Sequence, residues 1–315
     1  MKIRKGEYKM KKLLISLFLL LFTVTAYTER LKILCSTFPI YIFTLNVTDG
    51  VNVPELMLPA SMGCPHDYTL TPSDMKKIAS ADVLVINGLG MEEFLGAPLK
   101  RANKNIKVVD SSFGIKDLLK FMDSESEPKS DKNEKHKKEH KHTDINPHLF
   151  VSPYMAAEIA LNIANGLSEY DPGNAEKYKK NAEKYAKKLR EIGDLTKKTV
   201  KKLKNNRIIT QHGAFDYYAR DFGLQIIDVI QAHGGEEPSA AEVIRIKNKI
   251  KKENVGAIFA EPQYPAKLVK KIADEAGIPF GILDPCATGP DDADKNYYEK
   301  VMRTNIEVLK KNLGD

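Results

Sequence analysis

Four side chains invite a chemical reading first. His66 stands in Cys64-Pro-His-Asp-Tyr68 and His148 in Asn146-Pro-His-Leu-Phe-Val-Ser-Pro153. His212 follows Ile208-Ile-Thr-Gln211, and Asp284 follows Gly281-Ile-Leu283. Three neutral imidazoles and a carboxylate form a borderline-soft donor set that suits tetrahedral Zn²⁺, with bonds of about 2.0–2.2 Å. Any one histidine in such a place is as readily a hydrogen-bonded cleft side chain as a ligand. Their shared placement favours ligation. Each lies after a strand-like run or before a helix, and open α/β sheets bind ligands beyond the carboxyl ends of their strands. The four are far apart in sequence, so only the fold can bring them together.

The elements that must position them alternate. Leu31–Thr37, Val51–Leu58, Val83–Ile86 and Ile106–Val109 read as strands. Helices open at Pro39, at Thr71 and from Glu92. Thr71-Pro-Ser-Asp74 has the form of a capping box with proline at the first helical position. Repeated β-α units of this kind predict a parallel sheet with helices on both faces. Residues 123–146 are charged and polar and hold three histidines, so they predict a mobile loop. A helix capped by Ser152 follows. From Asp171-Pro172 to about Leu203 the spacing predicts the longest helix, roughly 45–50 Å. Its apolar stripe is Tyr178, Ala182, Tyr185, Leu189, Ile192 and Leu195, with Gly193 expected only to weaken it by about 1 kcal/mol. Strands then recur at Arg207–Gln211, Leu224–Ile230, Val255–Ala260 and Pro279–Leu283. Helices recur at Phe215–Asp221, Ser239–Lys252, Ala266–Ala276 and Ala293–Asn312. The chain is therefore α/β: a lobe at 27–170, a connecting helix at 171–204 and a second lobe at 205–315.

Residues 1–26 stand apart. Six basic residues and one acid give a net +5 around and before an apolar run, Leu13–Val24, which ends at the small residues Thr25 and Ala26. This is the three-part pattern of a secretory signal, with an uncleaved anchor as its alternative. It predicts an exported protein, in a periplasm or at the outer face of the cytoplasmic membrane. Removing the leader lowers the formal charge from +7 to +2. The basic balance thus gives no ground for a nucleic-acid partner, and no basic stripe interleaved with aromatics follows. Three cysteines without a CxxC pair exclude a disulfide scaffold and a zinc ribbon. Cys35 reads as a strand residue.

His66-Asp-Tyr-Thr-Leu-Thr-Pro-Ser-Asp74, Asn87-Gly-Leu-Gly90 and Asn146-Pro-His148 resemble the zinc and manganese solute-binding proteins of ABC importers. Gln211-His-Gly-Ala-Phe215, Glu237-Pro-Ser239 and Leu283-Asp-Pro285 extend the resemblance, in order, through the chain after the leader. It implies two lobes joined by a rigid backbone helix, with metal in the cleft and His66, His148, His212 and Asp284 as ligands. It further implies a monomeric receptor that hands its ion to a membrane permease. Manganese-preferring relatives usually carry a carboxylate at the position of His212, so the third imidazole points to Zn²⁺, with Mn²⁺ or Fe²⁺ as the alternative. His136, His140 and His142 match a histidine-rich insertion of zinc-binding relatives. They are read as low-affinity collectors, against the plainer reading of a solvated charged loop.

Two positions depart from the family pattern. Asn146 replaces a frequent aspartate that would orient His148, and Ser152 replaces another at the following helix. Cys64 and Cys286 each lie two residues from an expected ligand. They are free thiols, extra ligands or a disulfide pair. His233 is read as a cleft-lining histidine. No HExxH helix or spare general base supports a zinc hydrolase, so no enzyme is expected. A surface adhesin is the alternative from another class.

Overall fold

The apolar runs Ile33–Cys35 and Ala257–Ala260 are buried throughout. Short runs buried on both faces mark parallel strands with helices packed on either side. The computed structural model describes residues 30–63, 65, 68–121, 145–231 and 238–314. The leader, Cys64, His66, His233 and all but the end of the 123–146 loop lie outside them. Among the described residues no helix is long and apolar enough to cross a membrane.

The first sheet contains β1 (Ile33–Cys35), β2 (Glu55–Leu56), β3 (Val83–Ile86) and β4 (Lys107–Asp110), in the order β2-β1-β3-β4. Helices α1 (Phe38–Val47), α2 (Pro72–Ser80) and α3 (Gly96–Ala102) alternate with its strands. Two long helices follow, α4 (Pro153–Tyr170) and α5 (Ala175–Val200). The second sheet contains β5 (Arg207–Thr210), β6 (Gln225–Val229), β7 (Ala257–Ala260) and β8 (Phe280–Ile282), ordered β6-β5-β7-β8. Its helices are α6 (Asp216–Phe222), α7 (Ala240–Lys252), α8 (Lys267–Ala276) and α9 (Tyr297–Leu313). All the strand pairs are parallel. In each sheet the chain runs to one side of its first strand and then to the other. This places a crevice beyond β1 and β3, and a second beyond β5 and β7.

The Thr71 capping box forms as its spacing predicts. Other local expectations change. The expected strand Val51–Leu58 shrinks to Glu55–Leu56, because the N–H groups of Val51 and Asn52 close a turn onto Thr48 and Pro54 has none to offer. The segment from Glu92 begins as a 3₁₀ turn, Glu93–Leu95, before α3. The Ser152 side chain does not cap α4; it donates instead to the Asp221 carboxylate.

Helix α5 has 26 residues, about 39 Å at 1.5 Å per residue. It is shorter than expected because Pro172–Asn174 form a 3₁₀ turn before it. Its buried stripe passes from Ile192 to Thr196, Thr199 and Val200, leaving Leu195 39% exposed. Spacings of four and three must alternate to stay on one face, and two successive threes turn Leu195 away. Gly193 has a positive role: a Cβ there would fall 2.5 Å from the Tyr154 ring, so the glycine lets α4 and α5 approach.

The last part of the chain ties the two sheets together. Tyr298 Oη donates to Phe150 O at 2.8 Å, and Asn46 Nδ2 donates to Lys295 O at 2.7 Å. Phe38 meets Tyr297 edge-on at 5.4 Å, beside Gly289, where a Cβ would strike the Phe38 ring.

Candidate metal centre

His212 lies two residues past the end of β5, and Glu261 one residue past β7. These strands are neighbours, so the sheet brings together residues about fifty positions apart. Glu261 Oε1 sits 2.6 Å from His212 Nδ1 and accepts the His212 backbone N–H at 3.2 Å. Its Oε2 accepts from Gln263 Nε2 at 2.6 Å, and its own N–H is held by Gln211 Oε1 at 3.0 Å. A carboxylate opposite Nδ1 fixes the proton there and leaves the lone pair on Nε2. His212 Nε2 is buried and has no hydrogen-bond partner among the described residues. A buried acceptor left unmatched in this way calls for a ligand.

His148 enters from the first half of the chain. The segment before it is anchored at the first crevice, where buried Glu92 accepts from Ser36 Oγ and Asn87 N, both at 2.7 Å, and from Gly88 N at 3.1 Å. Asn87 Nδ2 in turn donates to Pro147 O at 3.0 Å. Burial, against these hydrogen bonds, pushes the Glu92 carboxyl up to about 7. Asn146 Oδ1 lies 2.7 Å from His148 Nδ1 and accepts the His148 N–H at 3.0 Å. The amide therefore does the orienting that the sequence left in question.

The two imidazoles meet across the seam. Their ring centroids are 5.2 Å apart and their planes nearly perpendicular, at 85°. His148 is 2% exposed and His212 5%. Phe121, Phe150 and Tyr264 stand edge-on around them. Burial pulls the His212 pKa down, but the charge and hydrogen bond of Glu261 outweigh it, leaving His212 above its ordinary value. Asp284 is partly buried. Its Oδ1 accepts from Cys286 N at 2.7 Å and its N–H donates to Asn305 Oδ1. Burial pushes its carboxyl up to about 6, opposed by the Cys286 N–H and reinforced by the charge of Glu261.

The structure thus brings His148 and His212 together and sets Asp284 within electrostatic reach of Glu261. Among the described residues no three His, Cys, Asp or Glu side chains gather closely enough to hold an ion. His66, His136, His140 and His142 lie outside the described residues. Cys286 is a buried free thiol whose pKa burial pushes well above the ordinary range, so it stays neutral. Residues 33–312 match the sequence model of the family described as ZnuA, zinc-uptake complex component A, periplasmic.

The chain belongs to that family. Membership makes it a solute-binding component of the zinc-uptake type, built as two α/β halves. It is 31% identical over 288 residues to the high-affinity zinc uptake system protein ZnuA of Bacillus subtilis, covering 90% of this chain and 88% of that protein. Its fold matches the solute-binding protein FpvC of Pseudomonas aeruginosa, solved with Ni²⁺. The TM-score is 0.75 at 28% identity, over 90% of this chain and 97% of that one. A mutant of the laminin-binding adhesin Lmb of Streptococcus agalactiae matches at TM-score 0.75 and 26% identity, over 90% and 99% of the two chains.

The sequence alone assigns no role at the site to Glu261, Gln211, Glu92 or Asp216. Glu261 carried a usable signal, since it follows a buried apolar run as directly as His212 does. The others look like ordinary loop or helix polar residues until the strand order is known.

Proposed function

We propose that this member of the family captures Zn²⁺ outside the cytoplasm and delivers it to the membrane permease of an ABC importer. His66, His148, His212 and Asp284 form the first coordination shell in the cleft between a 27–170 lobe and a 205–315 lobe, linked through residues 171–204. The observation that carries the reading is the buried pair of imidazoles, with the His212 Nε2 lone pair unmatched among the described residues. Family membership and the zinc-uptake name of the Bacillus subtilis relative support zinc as the cargo. The Ni²⁺ bound to FpvC, and Mn²⁺ in another structure of the same protein, keep other divalent ions as competitors.

The chemistry is coordination without turnover. Neutral imidazoles and an ionised Asp284 displace water from the ion, and protons are released as it binds. His136, His140 and His142 add weak zinc collection. Calorimetric titration with Zn²⁺, Mn²⁺ and Fe²⁺ tests the reading. One tight Zn²⁺ site per chain is expected, weakened at least 100-fold by His212→Ala. Stronger binding of Mn²⁺ than of Zn²⁺, or undiminished zinc binding by the variant, refutes it. The structural match to an adhesin motivates a second reading as a surface adhesin. Growth rescue in zinc-poor medium distinguishes the two, because an adhesin need not provide it.

A further inference from the structure

Asn146 stands where the resemblance leads one to expect a carboxylate, and its surroundings supply that carboxylate from the other half of the molecule. Its Nδ2 donates to Gly213 O at 2.7 Å and to Asp216 Oδ2 at 2.8 Å. Both partners belong to the segment that follows His212. Tyr217, next in the chain, donates through Oη to Asn146 O at 2.8 Å and accepts from Leu119 N at 3.0 Å. A carbonyl oxygen and a carboxylate can only accept, so the amide nitrogen must face them. The amide oxygen must then face the backbone N–H of His148, and with it Nδ1. This orientation leaves His148 one neutral form, with the proton on Nδ1 and the lone pair on Nε2.

Asp216 is 7% exposed, and its Oδ1 has no hydrogen-bond partner among the described residues. Its negative charge is therefore little screened and lies directly behind the Asn146 amide. A charged acceptor strengthens the bond to the amide N–H, and a polarised amide oxygen is a stronger acceptor for the imidazole N–H.

We propose that Asp216 is a positioning residue for metal capture, acting through the Asn146 amide to hold His148 with Nδ1 protonated and the lone pair that would bind the ion on Nε2. The proposal rests on His148 being a ligand, as argued under the proposed function. It also gives the chain a carboxylate–amide–imidazole series in place of a direct carboxylate–imidazole pair. The series crosses the seam, so the loops bearing His148 and His212 are set against each other before an ion arrives.

The substitution Asp216→Asn separates charge from shape. The amide it introduces could still accept from Asn146 through its oxygen, so a merely structural Asp216 would be replaced without loss. The test compares the full chain with Asp216→Asn, the exchange Asn146→Asp/Asp216→Asn, and His148→Ala. Zn²⁺ affinity is measured by competition with a chromophoric chelator at neutral pH, and the tautomer of His148 by ¹⁵N NMR of the metal-free protein. Asp216→Asn is expected to weaken Zn²⁺ binding about tenfold, as loss of an outer-shell partner does, and to raise the Nε2–H tautomer. The exchange sets a carboxylate against the imidazole and should restore the Nδ1–H tautomer, while its second oxygen meets Gly213 O, so binding recovers only in part. Wild-type affinity and tautomer in Asp216→Asn, with His148→Ala impaired, overturns the role of Asp216 and leaves the metal site standing. Weak binding by Asp216→Asn with an unchanged tautomer also overturns it, in favour of packing. Undiminished binding by His148→Ala removes the site reading itself and the proposal with it.

Discussion

Glu261→Gln separates the two effects this carboxylate has on His212. Glu261 is 1% exposed and its Oε1 lies 2.6 Å from His212 Nδ1, so water does not compete for the bond. A hydrogen bond to a charged group contributes about 1.5–3 kcal/mol, and a neutral one about 0.5–1.5 kcal/mol. Glutamine keeps the shape and loses the charge, which costs about 1.4 kcal/mol, or tenfold in zinc affinity. The same charge also holds the His212 pKa above its ordinary value, so a proton competes with the ion. Removing it weakens that competition. The variant should thus bind zinc about tenfold more weakly near pH 8, with the deficit shrinking as pH falls toward 6. Competition titrations with a chromophoric chelator across this range measure both effects, and melting of the metal-free proteins controls for folding. Equal affinity near pH 8, or a deficit that grows at lower pH, would refute the reasoning.

Three further expectations follow from buried groups. Glu92, near 7, and Asp216 and Asp284, near 6, are raised chiefly by burial, and Glu299 and His212 are raised as well. A raised pKa gives stability that is present at low pH and lost as pH climbs through the folded value. Metal-free protein should therefore melt at a higher temperature at pH 5 than at pH 8, while zinc affinity runs the other way; a flat or opposite melting profile counts against these burials. Gly193→Ala gains about 1 kcal/mol of helix propensity but drives a methyl into the Tyr154 ring, so net destabilisation of about 1–2 kcal/mol is expected in urea unfolding. Unchanged or increased stability would show that α4 and α5 do not approach closely there. Cys35 and Cys286 are both 0% exposed and burial raises both thiols, so neither should react with a thiol reagent until denaturant is added. Rapid labelling of either cysteine in the native protein would contradict that burial.

Much of the architecture was legible because its signals are local. Val83–Ile86 is a four-residue apolar strand in both readings, and Thr71 and Asp74 form their capping box from spacing alone. What needed the structure was contact between distant segments. Glu261 shows only its place after an apolar run, and nothing in Asp216 as a letter distinguishes it from a surface acid. The adjacency of β5 and β7 buries the first against His212, and the seam between the halves sets the second behind Asn146. Gly193 is a similar case. Propensity records only its cost, while its use depends on the ring of Tyr154 in a neighbouring helix. Ser152 has the right residue type for a cap, but Asp221 takes its hydroxyl. Leu195 departs from its expected burial for a simpler reason, since a stripe extended by two threes in succession leaves the buried face.

The central claim is that side chains from both halves of the chain close around one ion. Anomalous diffraction at the zinc edge from crystals of the zinc-loaded chain tests it directly. The account predicts a single strong peak about 2.0–2.2 Å from Nε2 of His66, His148 and His212 and from a carboxylate oxygen of Asp284. A fully occupied zinc peak away from His148 and His212, or one bound by residues of a single half, would contradict it.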